Sequence, residues 1–246
     1  MASTVTSPAE AWRGYKPGSF ALLALQPGDA VLDVGCGTGD DARELARLHP
    51  GVSVVGVDAD ASRVAEAERH TLGIPRPVEF RVADAYHLDL GEETFDACRA
   101  DKLFHHLDDP PKALTQMVRV VRAGGRVVVS DADYDTLLVD PSDETATRRI
   151  LDAFRADLPH PRIGRRLLAL LADTGLTGLT VTPYTAVVTT FEDAVLHLRE
   201  KAGTAVAAGW VTAREAEAWV AGLEAADQDR RFFCAVTIFT VAGRKP

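Results

Sequence analysis

The segment Asp33-Val34-Gly35-Cys36-Gly37-Thr38-Gly39 constrains this chain more than any other. It follows a short apolar run, Ala30-Val31-Leu32, that reads as a buried strand. It precedes a pattern with Leu45, Ala46 and Leu48 on one side, which reads as a helix. A strand thus runs into a glycine-rich turn that opens a helix. The first N–H groups of such a helix have no internal partner, and with the helix dipole they suit a negative or polar ligand group. The spacing is G-x-G-x-G, which fits neither the dinucleotide fingerprint nor the phosphate loop ending in G-K-[ST]. A second apolar run, Val52 to Val57, ends in Asp58, nineteen residues past Gly39. In a βαβ unit that places a carboxylate at the end of the neighbouring strand, within reach of ribose hydroxyls. Alone, a glycine turn is a turn and an acid after a strand is solvated. In this order and at this spacing they point to a nucleoside site.

Strands and helices then alternate. Strands are expected near 30–34, 52–57, 78–83, 95–99 and 126–131, and helices near 39–48, 60–70 and 110–122. Leu114, Met117, Val118 and Val121 form the stripe of a packed helix, with Gly124 as its expected stop. Such alternation predicts a parallel sheet covered on both faces. After Asp131 the pattern changes. Helices are expected at 143–157, 162–173, 191–207 and 212–226, with strands at 179–189 and 232–241. Thr212 and Glu215 have the spacing of a capping box. Trp12 to Leu25 reads as partly helical, and the Ser/Thr/Pro-rich residues 1–10 as flexible.

A chain of 246 residues has one domain as its default reading, 1–246. The net charge of −9 argues against nucleic acid or an anionic membrane as partner. Cys36, Cys98 and Cys234 are scattered and lack a C-x-x-C, so no disulfide framework is expected. Residues 1–10 lack the apolar core of a signal peptide, and no apolar stretch approaches the roughly 18 residues of a membrane span. A cytosolic location is expected.

Further motifs give a resemblance. Arg81-Val82-Ala83-Asp84-Ala85 is a strand ending in an acid and a small residue. Phe95-Asp96-Ala97 leads to Leu103-Phe104-His105-His106-Leu107, and Val120 to Val129 holds a Gly124-Gly125 turn. With Asp33 to Gly39, these make the chain resemble the class I S-adenosylmethionine-dependent methyltransferases from about Pro27 to Asp133. Small-molecule enzymes of the ubiquinone/menaquinone-biosynthesis type and their actinobacterial relatives look most similar. The tail from Arg162 to Pro246 looks like these relatives with fewer diagnostic residues.

The resemblance implies an α/β, Rossmann-like fold. Its seven-stranded, mostly parallel sheet would carry helices on both faces, an antiparallel last strand and extra helices before the last strands. It implies a cofactor core over 30–133 and acceptor-side and lid helices within 134–230. It implies S-adenosylmethionine as cofactor, held by Asp33, Gly35, Cys36, Gly37, Gly39, Asp58, Ala59, Asp84, Ala85 and Asp101. Within that set Asp33 would serve the methionine ammonium through water, Asp58 the ribose, and Asp84 with Ala85 the adenine; Lys102 is a weaker member. For Cys36, the need for a small residue is explanation enough.

Methyl transfer needs no protein nucleophile, but a hydroxyl acceptor needs a base. His105 and His106 follow the fourth strand, and a histidine suits that task near neutral pH. Either could instead cap or pack the following helix. Asp131, Asp133 and Tyr134 lie at the carboxyl edge of the fifth strand, where α/β sheets bind ligands. They could orient an acceptor, with Tyr134 the catalytic candidate among them, or form a solvated loop. No metal is expected.

The resulting reading is methyl transfer to an O, N or C atom of a small molecule, with a natural-product intermediate as setting. The partner is that acceptor, with no nucleic acid and no membrane, and a homodimer stays open. A non-methylating enzyme on the same pocket, or a silent cofactor-binding subunit, remain alternatives. A nucleic-acid methyltransferase is disfavoured by the charge and by the lack of an Asn/Asp-Pro-Pro-Tyr/Phe motif.

Overall fold

A computed structural model describes residues 7–71, 78–140, 143–191 and 197–246. Its strands are β1 (Ala30–Val34), β2 (Ser53–Asp58), β3 (Glu79–Val82), β4 (Phe95–Asp101), β5 (Val121–Val139), β6 (Thr177–Val188) and β7 (Cys234–Arg244). They form one seven-stranded sheet in the order β3-β2-β1-β4-β5-β7-β6. The pairs β2–β3, β1–β2, β1–β4 and β4–β5 are parallel, and β5-β7-β6 is antiparallel. The expected fold class is therefore present.

The helices are α1 (Pro8–Arg13), α2 (Lys16–Ala21), α3 (Asp40–Leu48), α4 (Ala61–Thr71), α5 (Pro110–Val120), α6 (Glu144–Asp157), α7 (Ile163–Asp173), α8 (Leu198–Ala207) and α9 (Ala213–Gln228). Residues 1–6 of the Ser/Thr/Pro-rich start, and 192–196 of the helix expected at 191–207, lie outside the described residues. Ser7 caps α1 through a capping box with Glu10, so the helix begins inside the stretch expected to be flexible. Thr212 and Glu215 cap α9 in the same reciprocal way, as their spacing predicts.

The chain divides into two compact units. One comprises Pro17–Asp131, Ile163–Thr182 and Phe239–Pro246. Successive strand residues there point to opposite faces, and both faces are buried. Leu32, Cys98, Val127 and Val129 pack with Leu114 and Met117 of α5 and Leu167 and Leu171 of α7. Val31, Ala97 and Val128 pack with Leu45 of α3 and Val64 of α4 on the other side. Burying each such side chain contributes about 1.5–3 kcal/mol. This two-sided burial is why the strands read as continuous apolar runs.

The other unit comprises Met1–Lys16, Ala132–Arg162 and Pro183–Ile238. Its core includes Tyr134, Ile150, Leu198, Trp219 and Val236. The buried Trp219 indole N–H donates to Thr147 Oγ1 at 2.7 Å, tying α9 to α6.

Two boundaries differ from the sequence reading. α5 ends at Val120, and Val121 is already extended (φ −84, ψ 135), so Gly124 lies within β5 and is not the helix stop. β5 also continues through Val139 rather than ending near 131. Asp131 and Asp133 are buried inside it, which overturns the solvated-loop alternative.

Candidate active site

The order β2-β1-β4 reverses the chain's winding at β1, so ligands are favoured outside the carboxyl ends of β1 and β4. The glycine turn leaves β1 at that point. The N–H groups of Gly35 and Cys36 both donate to the Val57 carbonyl, at 2.8 and 2.9 Å, which folds the turn against β2. Gly35, Gly37 and Gly39 all have positive φ, at 73, 54 and 79°. Their surroundings separate their roles. A Cβ on Gly39 would lie 2.4 Å from Phe80 Cζ, and one on Gly35 would lie 2.9 Å from Leu103 Cδ1. Those two are glycines because protein fills the space. A Cβ on Gly37 would meet nothing within 4 Å, so there the main chain is open to a ligand.

α3 begins directly after this turn, with Asp40 and Asp41 in its first turn. Asp40 is paired with Arg43 at 2.6 Å and Asp41 with Arg99 at 3.2 Å, so both first-turn carboxylates are already engaged. Cys36 is half-buried in the turn, and burial pushes its thiol well above the ordinary range, with Asp33 and Asp58 adding to the effect. It is a small residue there, held in the neutral thiol form.

Asp58 ends β2. Its Oδ2 accepts from the Gly37 N–H at 2.8 Å and its Oδ1 from the Asp60 N–H at 3.0 Å. The carboxylate is thereby aimed beside the open glycine, and each oxygen keeps a lone pair for a further donor. Ala59 beside it is exposed. Asp84 follows β3 and is exposed, with Ala85 half-buried. Asp84 Oδ1 accepts from the Tyr86 N–H at 2.8 Å, which holds its carboxyl below the usual range. His87 Nδ1 lies 3.4 Å from Asp84 Oδ2.

Asp33 and Asp101 share a partner that the sequence reading missed. Arg99, in the middle of β4, is 1% exposed. It donates to Asp33 Oδ1 at 2.8 Å and Asp41 Oδ2 at 3.2 Å, and comes within 3.8 Å of Asp101 Oδ2. Asp33 is itself 2% exposed. A charged residue inside a buried parallel strand was the available signal, because such a charge requires partners.

Past β4, Lys102 has φ 51 and donates its N–H to Ser130 O at 2.8 Å. A short 3-10 turn, Phe104–His106, follows. His105 is 4% exposed, and its Nδ1 lies 2.7 Å from Oδ1 of the fully buried Asp131. Its backbone N–H donates to the other oxygen, Oδ2, at 3.1 Å. A neutral His105 then carries its proton on Nδ1, which leaves Nε2 as an acceptor. His106 is exposed, with its ring centroid 3.9 Å from that of His105. Desolvation, followed by the field of His105, lowers its pKa from the ordinary 6.5. Tyr134 belongs to the other unit. It is buried and meets Phe154 edge-on, with centroids 4.9 Å apart. Among the described residues no group of three or more His, Cys, Asp or Glu is placed to hold a metal.

A family profile described as a methyltransferase domain matches residues 32–129, the stretch that holds the glycine turn, Asp58, Asp84 and His105. A protein of a Streptomyces fradiae transposon is 35% identical over 245 residues, covering 96% of this chain and 68% of that protein. The chain belongs to the class I S-adenosylmethionine-dependent methyltransferases. The O-methyltransferase resE of Aspergillus sclerotiorum is 32% identical over 157 residues, which span 63% of this chain and 57% of that enzyme. The solved YcgJ protein of Bacillus subtilis shares the fold, with a TM-score of 0.63 at 18% identity over 95% of this chain and 99% of that one.

As a methyltransferase of this family the chain uses S-adenosylmethionine as methyl donor. Its residues fit that molecule. The open face of Gly37 admits a ligand against the main chain. The carboxylate of Asp58 suits vicinal hydroxyls. No helix among the described residues is long and apolar enough to cross a membrane.

Proposed function

We propose that this methyltransferase acts on a hydroxyl oxygen of a small organic molecule, in a natural-product setting. The observation that carries this reading is the His105–Asp131 pair, with Nδ1 and Oδ1 at 2.7 Å. A buried carboxylate that fixes an imidazole tautomer is the arrangement of a general base, and a hydroxyl is the acceptor that needs one. Relatives named as O-methyltransferases agree with this choice, beside others named as phosphoethanolamine N-methyltransferases.

S-adenosylmethionine, when bound, supplies an electrophilic methyl on a sulfonium. The chain's residues do the rest. Asp58 accepts hydrogen bonds from the ribose hydroxyls. Asp84 and the Ala85 main chain read the adenine edge. The main chain at Gly37 would lie against the methionine portion, with Asp33 and Asp101, paired with Arg99, behind the turn. His105 Nε2 takes the acceptor's proton, and Asp131 stabilises the resulting imidazolium. His106 lies against His105, with the two rings tilted at 43°. Tyr134 is held by packing in the core of its own unit, and no step rests on it. The proposal places the protein in the cytosol, in keeping with three free cysteines.

The test is product analysis with methyl-labelled cofactor and a panel of phenols and alcohols alongside their deoxy analogues. Label in a methyl ether, absent with the deoxy compounds, is expected. Label on carbon or nitrogen overturns the hydroxyl assignment.

A further inference from the structure

We infer that Arg99 is a positioning residue that holds the cofactor turn in its binding shape before the cofactor arrives. This rests on the reading that S-adenosylmethionine binds at Gly37. Asp33 immediately precedes the turn and Asp41 follows it, in the first turn of α3. One guanidinium reaches both, at 2.8 and 3.2 Å, and so brackets the three glycines from the strand beside them. Its third approach, 3.8 Å to Asp101, ties in the end of β4. The Phe20 ring covers the guanidinium, with its centroid 5.1 Å from Cζ, so the strut is closed off from water on that side.

The need for a strut follows from the turn itself. Three residues at positive φ within five positions are flexible in isolation, because glycine loses more backbone freedom on ordering than any other residue. A turn ordered in advance does not charge that loss to ligand binding. A planar fork spreads its N–H donors over three nitrogens and can meet carboxylates from separate elements at fixed angles, whereas a lysine ammonium gathers its three donors on one nitrogen. Asp33, at 2% exposure and paired with Arg99, thus acts on the cofactor through the shape of the turn.

The experiment is calorimetric titration of S-adenosylhomocysteine into wild type, Arg99→Lys and Asp41→Asn, with steady-state kinetics and thermal melting on the same samples. Arg99→Lys keeps a charge opposite the carboxylates but loses the fork. It should stay folded and bind the probe at least tenfold more weakly. KM for S-adenosylmethionine should rise by a similar factor, and KM for the acceptor should change less than twofold. Asp41→Asn removes one arm at the edge of the network and should weaken the probe threefold or more, which keeps the test decisive if Arg99→Lys fails to fold. Probe affinity within twofold of wild type in the folded variants overturns the inference. So does a loss in which kcat and both KM values move in step with the folded fraction, because that marks Arg99 as structural only. Wild type that binds no probe would refute the cofactor reading itself, a separate outcome.

Discussion

His105 grips both oxygens of Asp131, one through its ring Nδ1 at 2.7 Å and the other through its backbone N–H at 3.1 Å. The carboxylate thus fixes the position of the residue as well as the tautomer of its ring. Asp131→Asn offers a donor where the ring needs an acceptor, and it turns the imidazole to the tautomer with its proton on Nε2. Turnover should fall by about a hundredfold, the scale of a lost general base. Cofactor affinity should stay within twofold. Single-turnover rates and cofactor titration on the variant check both statements.

Asp58 holds the turn through the Gly37 N–H and, in the proposal, takes the ribose hydroxyls. Charge-assisted hydrogen bonds contribute about 1.5–3 kcal/mol each. Asp58→Ala should therefore weaken S-adenosylmethionine binding at least tenfold. An unchanged dissociation constant by calorimetry would remove Asp58 from the site.

The glycines of the turn should separate in their effects. Gly39→Ala combines a left-handed backbone with a Cβ 2.4 Å from Phe80, and should destabilise the fold by about 2–5 kcal/mol. Gly37→Ala carries only the backbone cost, about 1–2 kcal/mol, because its Cβ meets open space. That methyl stands where the cofactor approaches, so Gly37→Ala should lose more affinity per unit of stability lost. Melting and titration of the two variants side by side give the comparison.

The turn and its acids were legible because they are local. Strand, glycines and helix follow each other within 20 residues, and Asp58 sits at the next strand end. The alternating core was legible for the same reason, since β1 and β2 are mostly apolar runs set between helical stripes. β5 was read short because Ser130, Asp131 and Asp133 interrupt its apolar pattern. Those residues are polar yet buried, satisfied by partners far away in sequence: Ser130 by Thr240 and Asp131 by His105. Such partners leave no periodic trace. Arg99 did leave one, as a lone cation in the run Phe95 to Asp101, but the identity of its carboxylates depends on the fold.

Protonation of His106 opposes folding. Its pKa lies below 6.5 in the folded protein, so the unfolded chain binds more protons as pH falls through that value. The destabilisation begins as pH drops below the unfolded pKa and is complete below the folded one. His106→Gln should therefore show a smaller drop in melting temperature between pH 7.5 and 5.5 than wild type. Equal drops would show that His106 does not contribute to the acid sensitivity.

The most direct test of the account is the single-turnover rate of methyl transfer to an identified hydroxyl acceptor by His105→Ala, with the cofactor dissociation constant measured on the same sample. The account predicts a rate lower by about a hundredfold or more with cofactor affinity unchanged. Near-native turnover in His105→Ala, or a rate and an affinity that fall together, would contradict it.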